Sequence, residues 1–176
     1  LAGYFTIAAE NAFSDHHLSF APCGRANTIL FDGERYRFNH EIDHEYDLKT
    51  FNDLIQQANS AQDVVERARF LQAVVDLANK PFLDNIDADW VVAERQRLEV
   101  QIRALLIRLA GIYLEIDRPL ATLDTCQVIL DADPLVEEAY RLRMRAYAML
   151  GDLSAVVRVY QSCTDILDEE LGIAPS

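Results

Sequence analysis

The sequence predicts an all-α fold of antiparallel helix pairs stacked one on the next, preceded by a small β-hairpin. Three observations predict it. Apolar residues recur at helical spacing almost without interruption from about residue 48 to the C-terminus. A 34-residue period links Leu106, Tyr113, Thr122, Cys126 and Ile129 to Tyr140, Tyr147, Val156, Tyr160 and Cys163. Ahead of both, Asp32-Gly33 lies between Thr28-Ile29-Leu30-Phe31 and Glu34-Arg35-Tyr36-Arg37-Phe38, the pattern of two short strands around a tight turn.

The elements follow in order. Ala8 to Ser19 is a candidate short helix. The hairpin comes next, its two-residue type I′ turn formed by Asp32-Gly33, whose residues tolerate positive φ. Arg35 and Arg37 alternate with Tyr36 and Phe38, so both arginines share one face. Residues 41–47 alternate acids with Ile42, His44 and Tyr46 and read as an extended connector. Asp47 is placed to cap a first helix, about Leu48 to Asn59, on Phe51, Leu54, Ile55 and Ala58. A second helix, about Ala61 to Asn79, carries Val64, Val65, Ala68, Leu71, Val75 and Leu77, and Pro81 breaks it. After the loop at Asp84 to Asp89 comes a long third helix, about Trp90 to Ile116. The fourth runs from Pro119, which suits a first turn, to about Asp131. The fifth runs from about Pro134 to Leu150, with Asp133 as N-cap and Glu137 and Glu138 at its positive end. The sixth runs from about Leu153 to Leu171 and closes on Gly172.

Composition narrows the function. Of 176 residues, 51% are hydrophobic and 26% charged, a globular balance. Sixteen basic against 29 acidic residues give a net charge of −13, which repels phosphate backbones over most of the surface. The charge is uneven. Residues 1–40 hold four acids and three bases, a net of −1, and residues 41–176 hold the other 25 acids and 13 bases, a net of −12. The domain division is therefore drawn at residue 40. No apolar run is long enough to span a membrane. Three widely spaced cysteines, Cys23, Cys126 and Cys163, suit a reducing cytoplasm better than a disulfide framework. The chain opens on Leu1 without a basic start, which reads as an excised or processed piece of a longer protein.

The 34-residue period is that of tetratricopeptide helix pairs, which stack in a right-handed sense. Departures from that pattern are Asp117 at the turn glycine, Thr122 and Val156 at a small slot, and Arg143 at a Leu slot. In such a stack the slots facing the concave groove are Ala104, Ile107, Gly111 and Leu114, then Glu138, Arg141, Arg145 and Ala148. One repeat offers an apolar strip and the next a charged one. Either a partner helix with apolar residues and an acidic end occupies that groove, or neighbouring helices of the chain fill it.

A narrower resemblance covers about residues 41–176. Tyr113-Leu114-Glu115, Asp131-x-Asp133-Pro134-Leu135-x-Glu137-Glu138, Gly151-Asp152, Tyr160 and the closing Glu170-Leu171-Gly172-Ile173-x-Pro175-Ser176 resemble the bacterial transcriptional activator domain. Upstream, Asp89-Trp90 with Glu94-Arg95 and Leu98 resembles the start of that domain's long helix. Asp47-Leu48 with Phe51 and Leu54 resembles its opening. The domain accompanies winged-helix DNA-binding domains in SARP-type regulators. The resemblance implies a non-catalytic interaction or oligomerisation domain beside a DNA-binding domain. In that family the preceding segment is a wing ending in Gly-x-Tyr-Arg; Ile29 to Asn39, with Gly33, Tyr36 and Arg37, is similar to it. Asn11 to Phe20 then stands where a recognition helix would lie, although Asp15, His16 and His17 replace the usual bases. The alternative is a tetratricopeptide adaptor of a larger signalling protein with no DNA contact.

Arg25, Arg35 and Arg37 are the DNA-contact candidates, or else a solvated hairpin face. His16, His17, His40 and His44 lack metal-ligand spacing, so no metal is expected. Cys126 and Cys163 fall on core slots and read as packing residues. Trp90 either anchors a partner or, the preferred reading, packs Phe82 and Leu83 onto the long helix. No phosphate-binding glycine loop, nucleophile triad or paired-carboxylate cleft is present, so neither an enzyme nor a cofactor is expected.

Overall fold

The computed structural model describes residues 29–31, 36–38, 47–78 and 89–175. Two strands, β1 (Ile29–Phe31) and β2 (Tyr36–Phe38), pair antiparallel with Phe31 opposite Tyr36 and Leu30 opposite Arg37. This register leaves four residues, 32–35, between the paired ends. The turn expected at Asp32-Gly33 lies outside the described residues. The candidate helix at Ala8 to Ser19, the connector at 41–46 and the loop at 84–88 lie outside the described residues.

Six helices follow among the described residues: α1 (Asp47–Ser60), α2 (Val64–Leu77), α3 (Asp89–Glu115), α4 (Pro119–Ala132), α5 (Glu137–Met149) and α6 (Leu153–Leu171). Each packs on the next, and α3 also reaches α5. Helix α1, expected from about Leu48, begins at Asp47. α2 starts at Val64, three residues later than expected. Asp63 caps it, its carboxylate accepting the Val65 N–H at 2.9 Å, an interaction worth about 1 kcal/mol. The two residues before that cap, Ala61 and Gln62, are non-helical. The Arg67 guanidinium donates to the Ala61 carbonyl at 2.8 Å and holds the turn shut. Val65 is 58% exposed, and Ala68, Leu71 and Val74 are the buried residues of α2.

The 27-residue α3 is the shared wall of two cores. Leu105, Leu109, Ile112 and Tyr113 join Phe51, Ala58, Ala68, Leu71 and Val74 of α1 and α2. Leu106, Ala110 and Leu114, on the adjoining stripe, join Cys126, Ile129, Ala139, Tyr140, Cys163 and Leu167 of α4 to α6. The Tyr113 hydroxyl donates to Gln72 Oε1 at 2.8 Å and ties α3 back to α2. Thr122 is wholly buried on α4, and its hydroxyl donates to the Ala110 carbonyl at 3.2 Å and the Arg118 carbonyl at 3.3 Å. A buried hydroxyl needs such a partner, which is how threonine is accommodated at a small slot.

The start of α5 is also corrected. Asp133 does not cap it. Asp133 ends α4, its Oδ1 accepts the Leu135 N–H at 3.0 Å, and its Oδ2 pairs with Arg103 of α3. The Tyr140 hydroxyl donates to the Pro134 carbonyl at 3.1 Å. Residues 134–136 are thus a pinned turn, and α5 begins at Glu137. Asp152 caps α6, accepting the Ser154 hydroxyl and the Ala155 N–H. Those bonds, the hydroxyl first, hold its carboxyl below the ordinary range.

The 34-residue period is present in the backbone. Asp117 and Gly151, 34 apart, both have positive φ, +56° and +77°. The Arg118 N–H donates to the Tyr113 carbonyl and the Asp152 N–H to the Tyr147 carbonyl, again 34 apart. The pairs Thr122 to Arg118 and Val156 to Asp152 repeat in the same register. A left-handed residue costs a side chain about 1–2 kcal/mol, less for Asp, and glycine nothing. Gly151→Ala is therefore expected to lower unfolding stability by about 1–2 kcal/mol, whereas Asp117→Gly is neutral or stabilising by under about 1 kcal/mol. Urea denaturation followed by circular dichroism checks both; equal effects at the two positions would deny that they share one turn.

Candidate interaction faces of the helical hairpins

The groove slots named from the sequence do not form one open strip. Leu114 is only 6% exposed and belongs to the core of α4 to α6, so it is unavailable to a partner. Ile107 is partly buried against that same core. Gly111 is partly buried, yet nothing lies within 4 Å of where a Cβ would sit, so space remains above it. Ala104 is exposed. On α5, Arg141 and Arg145 are exposed and Glu138 is partly buried. Arg141 Nε donates to Glu138 Oε2 at 2.8 Å, and its guanidinium lies 3.8 Å from Glu137. Exposed pairs at this spacing contribute a few tenths of a kcal/mol. They nonetheless hold Arg141 along its own helix.

The DNA-contact candidates fall mostly outside the described residues. Arg25 and Arg35 lie there, and Arg37 is placed only as the backbone partner of Leu30. The four histidines, Cys23, Phe82 and Leu83 lie outside them too. No cluster of potential metal ligands occurs among the described residues.

Sequence reasoning missed a different face. On α6, Leu153, Val157 and Tyr160 are 69%, 55% and 53% exposed and share one stripe. Met149 and Leu150, just ahead in the chain, are exposed as well. The slots one repeat earlier are Leu123 for Val157, Cys126 for Tyr160 and Leu130 for Thr164. There α5 lies alongside: Cys126 is fully buried, Leu130 is 9% exposed and Leu123 packs on the core. The stripe was legible in the repeat register, carried one helix further.

The two described thiols are inert. Cys126 and Cys163 are free and buried. Burial pushes the Cys126 thiol up to about 12, with the Arg143 charge opposing and Glu138 reinforcing. Cys163 is raised chiefly by burial, with Glu137 adding to it and Arg141 opposing. Both stay protonated at neutral pH, so neither is a nucleophile.

The described residues define a run of six helices, each packed on the next. That chain belongs to the bacterial transcriptional activator domain family, whose sequence profile matches residues 46–176, about three quarters of the protein. The match begins one residue before α1 and takes in all six helices. The family is regulatory and not enzymatic. No curated protein matches the chain. No helix among the described residues is long and apolar enough to cross a membrane.

A raised thiol pKa fixes a pH dependence. Below the unfolded pKa of about 8.5 both states are protonated and the buried thiol's contribution is intact. Above it the unfolded chain ionises first, so stability falls as pH rises toward the folded value. Tyr113 and Tyr140, also raised mainly by burial, act in the same sense. Denaturation midpoints are expected to fall between about pH 9 and 12, and Cys126→Ala to flatten part of that slope. An unchanged slope would show that Cys126 does not titrate as a buried thiol.

Proposed function

We propose that this chain is the non-catalytic interaction and self-association domain of a bacterial transcription regulator, acting through protein contacts beside a DNA-binding segment. In this reading residues 41–176 are a tetratricopeptide-like right-handed stack. Residues 1–40 carry the remnant of a winged helix, and the β1–β2 pair belongs to its wing. Arg25, Arg35 and Arg37 are the groups that meet DNA. The cytoplasm is its place of work.

One observation carries the reading. The repeat slots that are covered between α4 and α5 are open on α6, where a stripe of large apolar residues faces solvent. Helical repeat arrays end on polar capping faces when nothing further packs there, and contiguous apolar surface marks a contact site. Membership of a regulatory family and the acidity of residues 41–176 both support a role away from the nucleic acid. Gly111, Arg141 and Arg145 flank the same hairpins and supply a secondary, polar contact region.

The whole chain is expected to self-associate as its concentration rises. Tyr160→Lys and Val157→Glu are expected to weaken that association about tenfold or more each while leaving the helical circular dichroism intact, as truncating a buried aromatic anchor does. Sedimentation velocity over a concentration series measures it. A chain that is monomeric throughout, or variants that associate as the parent does, removes self-association through α6. In parallel, anisotropy of a labelled mixed-sequence duplex is expected to report weak binding that falls steeply with salt and is lost with Arg35→Ala and Arg37→Ala. Absence of binding at low salt leaves an adaptor without DNA contact.

A further inference from the structure

A cavity of about 200 Å³ opens between α5 and α6 on Arg143, Arg158 and Ser162, with Tyr140 and Tyr147 contributing to its wall. Its composition runs against the rest of the molecule. The chain carries −13, yet the ionisable groups on this cavity are two guanidiniums and two phenols and include no carboxylate.

The internal repeat shows what the second hairpin has changed. One repeat earlier, the slot of Arg143 is Leu109, fully buried. The slot of Arg158 is Asp124, and the slot of Ser162 is Val128. Two cations and a hydroxyl therefore stand where the first hairpin has an aliphatic side chain, an acid and an aliphatic side chain. The tyrosine slot is the same in both, Tyr113 and Tyr147.

Arg143 is the unusual member. Its Nε is buried and has no hydrogen-bond partner. No ion pair holds its guanidinium among the described residues, although Cys126 and Tyr140 both feel its charge. A buried donor left unpaired is costly, and a charged one more so. Arg158 stands more exposed at the rim. It donates to Ser154 Oγ at 3.2 Å and lies 3.9 Å from Asp152, so it is tethered but not neutralised by a close pair. The Tyr140 hydroxyl is already spent on the Pro134 carbonyl. The donors left for a ligand are those of Arg143, Arg158, Ser162 and Tyr147.

We propose that this cavity is an oxyanion site, which takes the phosphate or carboxylate group of a small ligand on the guanidiniums of Arg143 and Arg158. Guanidinium forks match both groups in plane and spacing. The volume is below that of pockets which enclose a whole drug-sized ligand, so it accepts the anionic group and leaves the remainder of the ligand outside. The inference stands on the α5–α6 hairpin alone and does not depend on the self-association proposed above.

The test uses the whole 176-residue chain. Thermal unfolding midpoints are measured in inorganic phosphate, in acetate and in chloride at matched ionic strength and pH 7. The expected result is a saturable rise with at least one oxyanion over chloride, which is lost in Arg143→Leu and reduced in Arg158→Gln. Arg143→Leu restores the residue of the first repeat, so it is expected to fold. A rise in phosphate only assigns a phosphate group, and a rise in acetate only a carboxylate. Titrating the Arg Nε–H resonances with the same two anions gives a second readout, in which one buried resonance is expected to shift and saturate. The proposal is overturned if both oxyanions act no differently from chloride, an ionic-strength effect only, or if Arg143→Leu responds as the parent does. Should Arg143→Leu fail to fold, Arg158→Gln and the Nε titration decide alone.

Discussion

The structure rests on one helix having to satisfy two cores. With 3.6 residues per turn, Leu105, Leu109 and Ile112 fall on one stripe of α3 and Leu106, Ala110 and Leu114 on the next. The first stripe meets α1 and α2, the second α4, α5 and α6. Removing a buried side chain from a stripe leaves a cavity in one core only, at a cost of about 2–5 kcal/mol for a leucine. The cores remain coupled because the helix backbone between them is common. Small Ala110 lets α4 come close enough for Thr122 to reach its carbonyl, and the Tyr113 hydroxyl ties the opposite side to α2. The Arg103–Asp133 pair extends the control of α3 to the start of α5. Helix α3 thus sets the position of elements on both sides of it.

Much of this was legible in the residues. Six helices appear where apolar spacing put them, and the left-handed Asp117 and Gly151 occupy matching slots of the 34-residue period. The miss at the start of α5 has a physical cause. Asp133 has the look of an N-cap, but its two oxygens are taken by the Leu135 N–H and by Arg103, a residue thirty positions away. No local rule contains that partner.

The candidate sites were less legible, for a related reason. Periodicity along one helix sets the direction of a slot, whereas burial is decided between helices. Leu114 faced the proposed groove by count, yet α4 to α6 close over it. The exposed stripe of α6 and the Arg143 cavity both emerge only when one repeat is compared with the other. Arg143 was visible as a departure from the leucine slot. Its meaning lay in what faces it, since only the folded hairpin sets Arg158 and Ser162 across the gap. The net acidity likewise concealed a local reversal of sign.

The unequal lengths of α3 and α4 have a mechanical consequence. Twenty-seven residues against fourteen leave roughly half of α3, about 20 Å, projecting beyond the hairpin it forms with α4. A continuous helix transmits a tilt along its whole axis. A rocking of about 5° at the end gripped by α4 and α5 therefore sweeps the far end through about 2 Å over that length. The half of α3 that lies beyond α4 is in this way geared to whatever loads the C-terminal hairpins, with α3 as the arm and the Arg103–Asp133 pair as the latch beside its pivot.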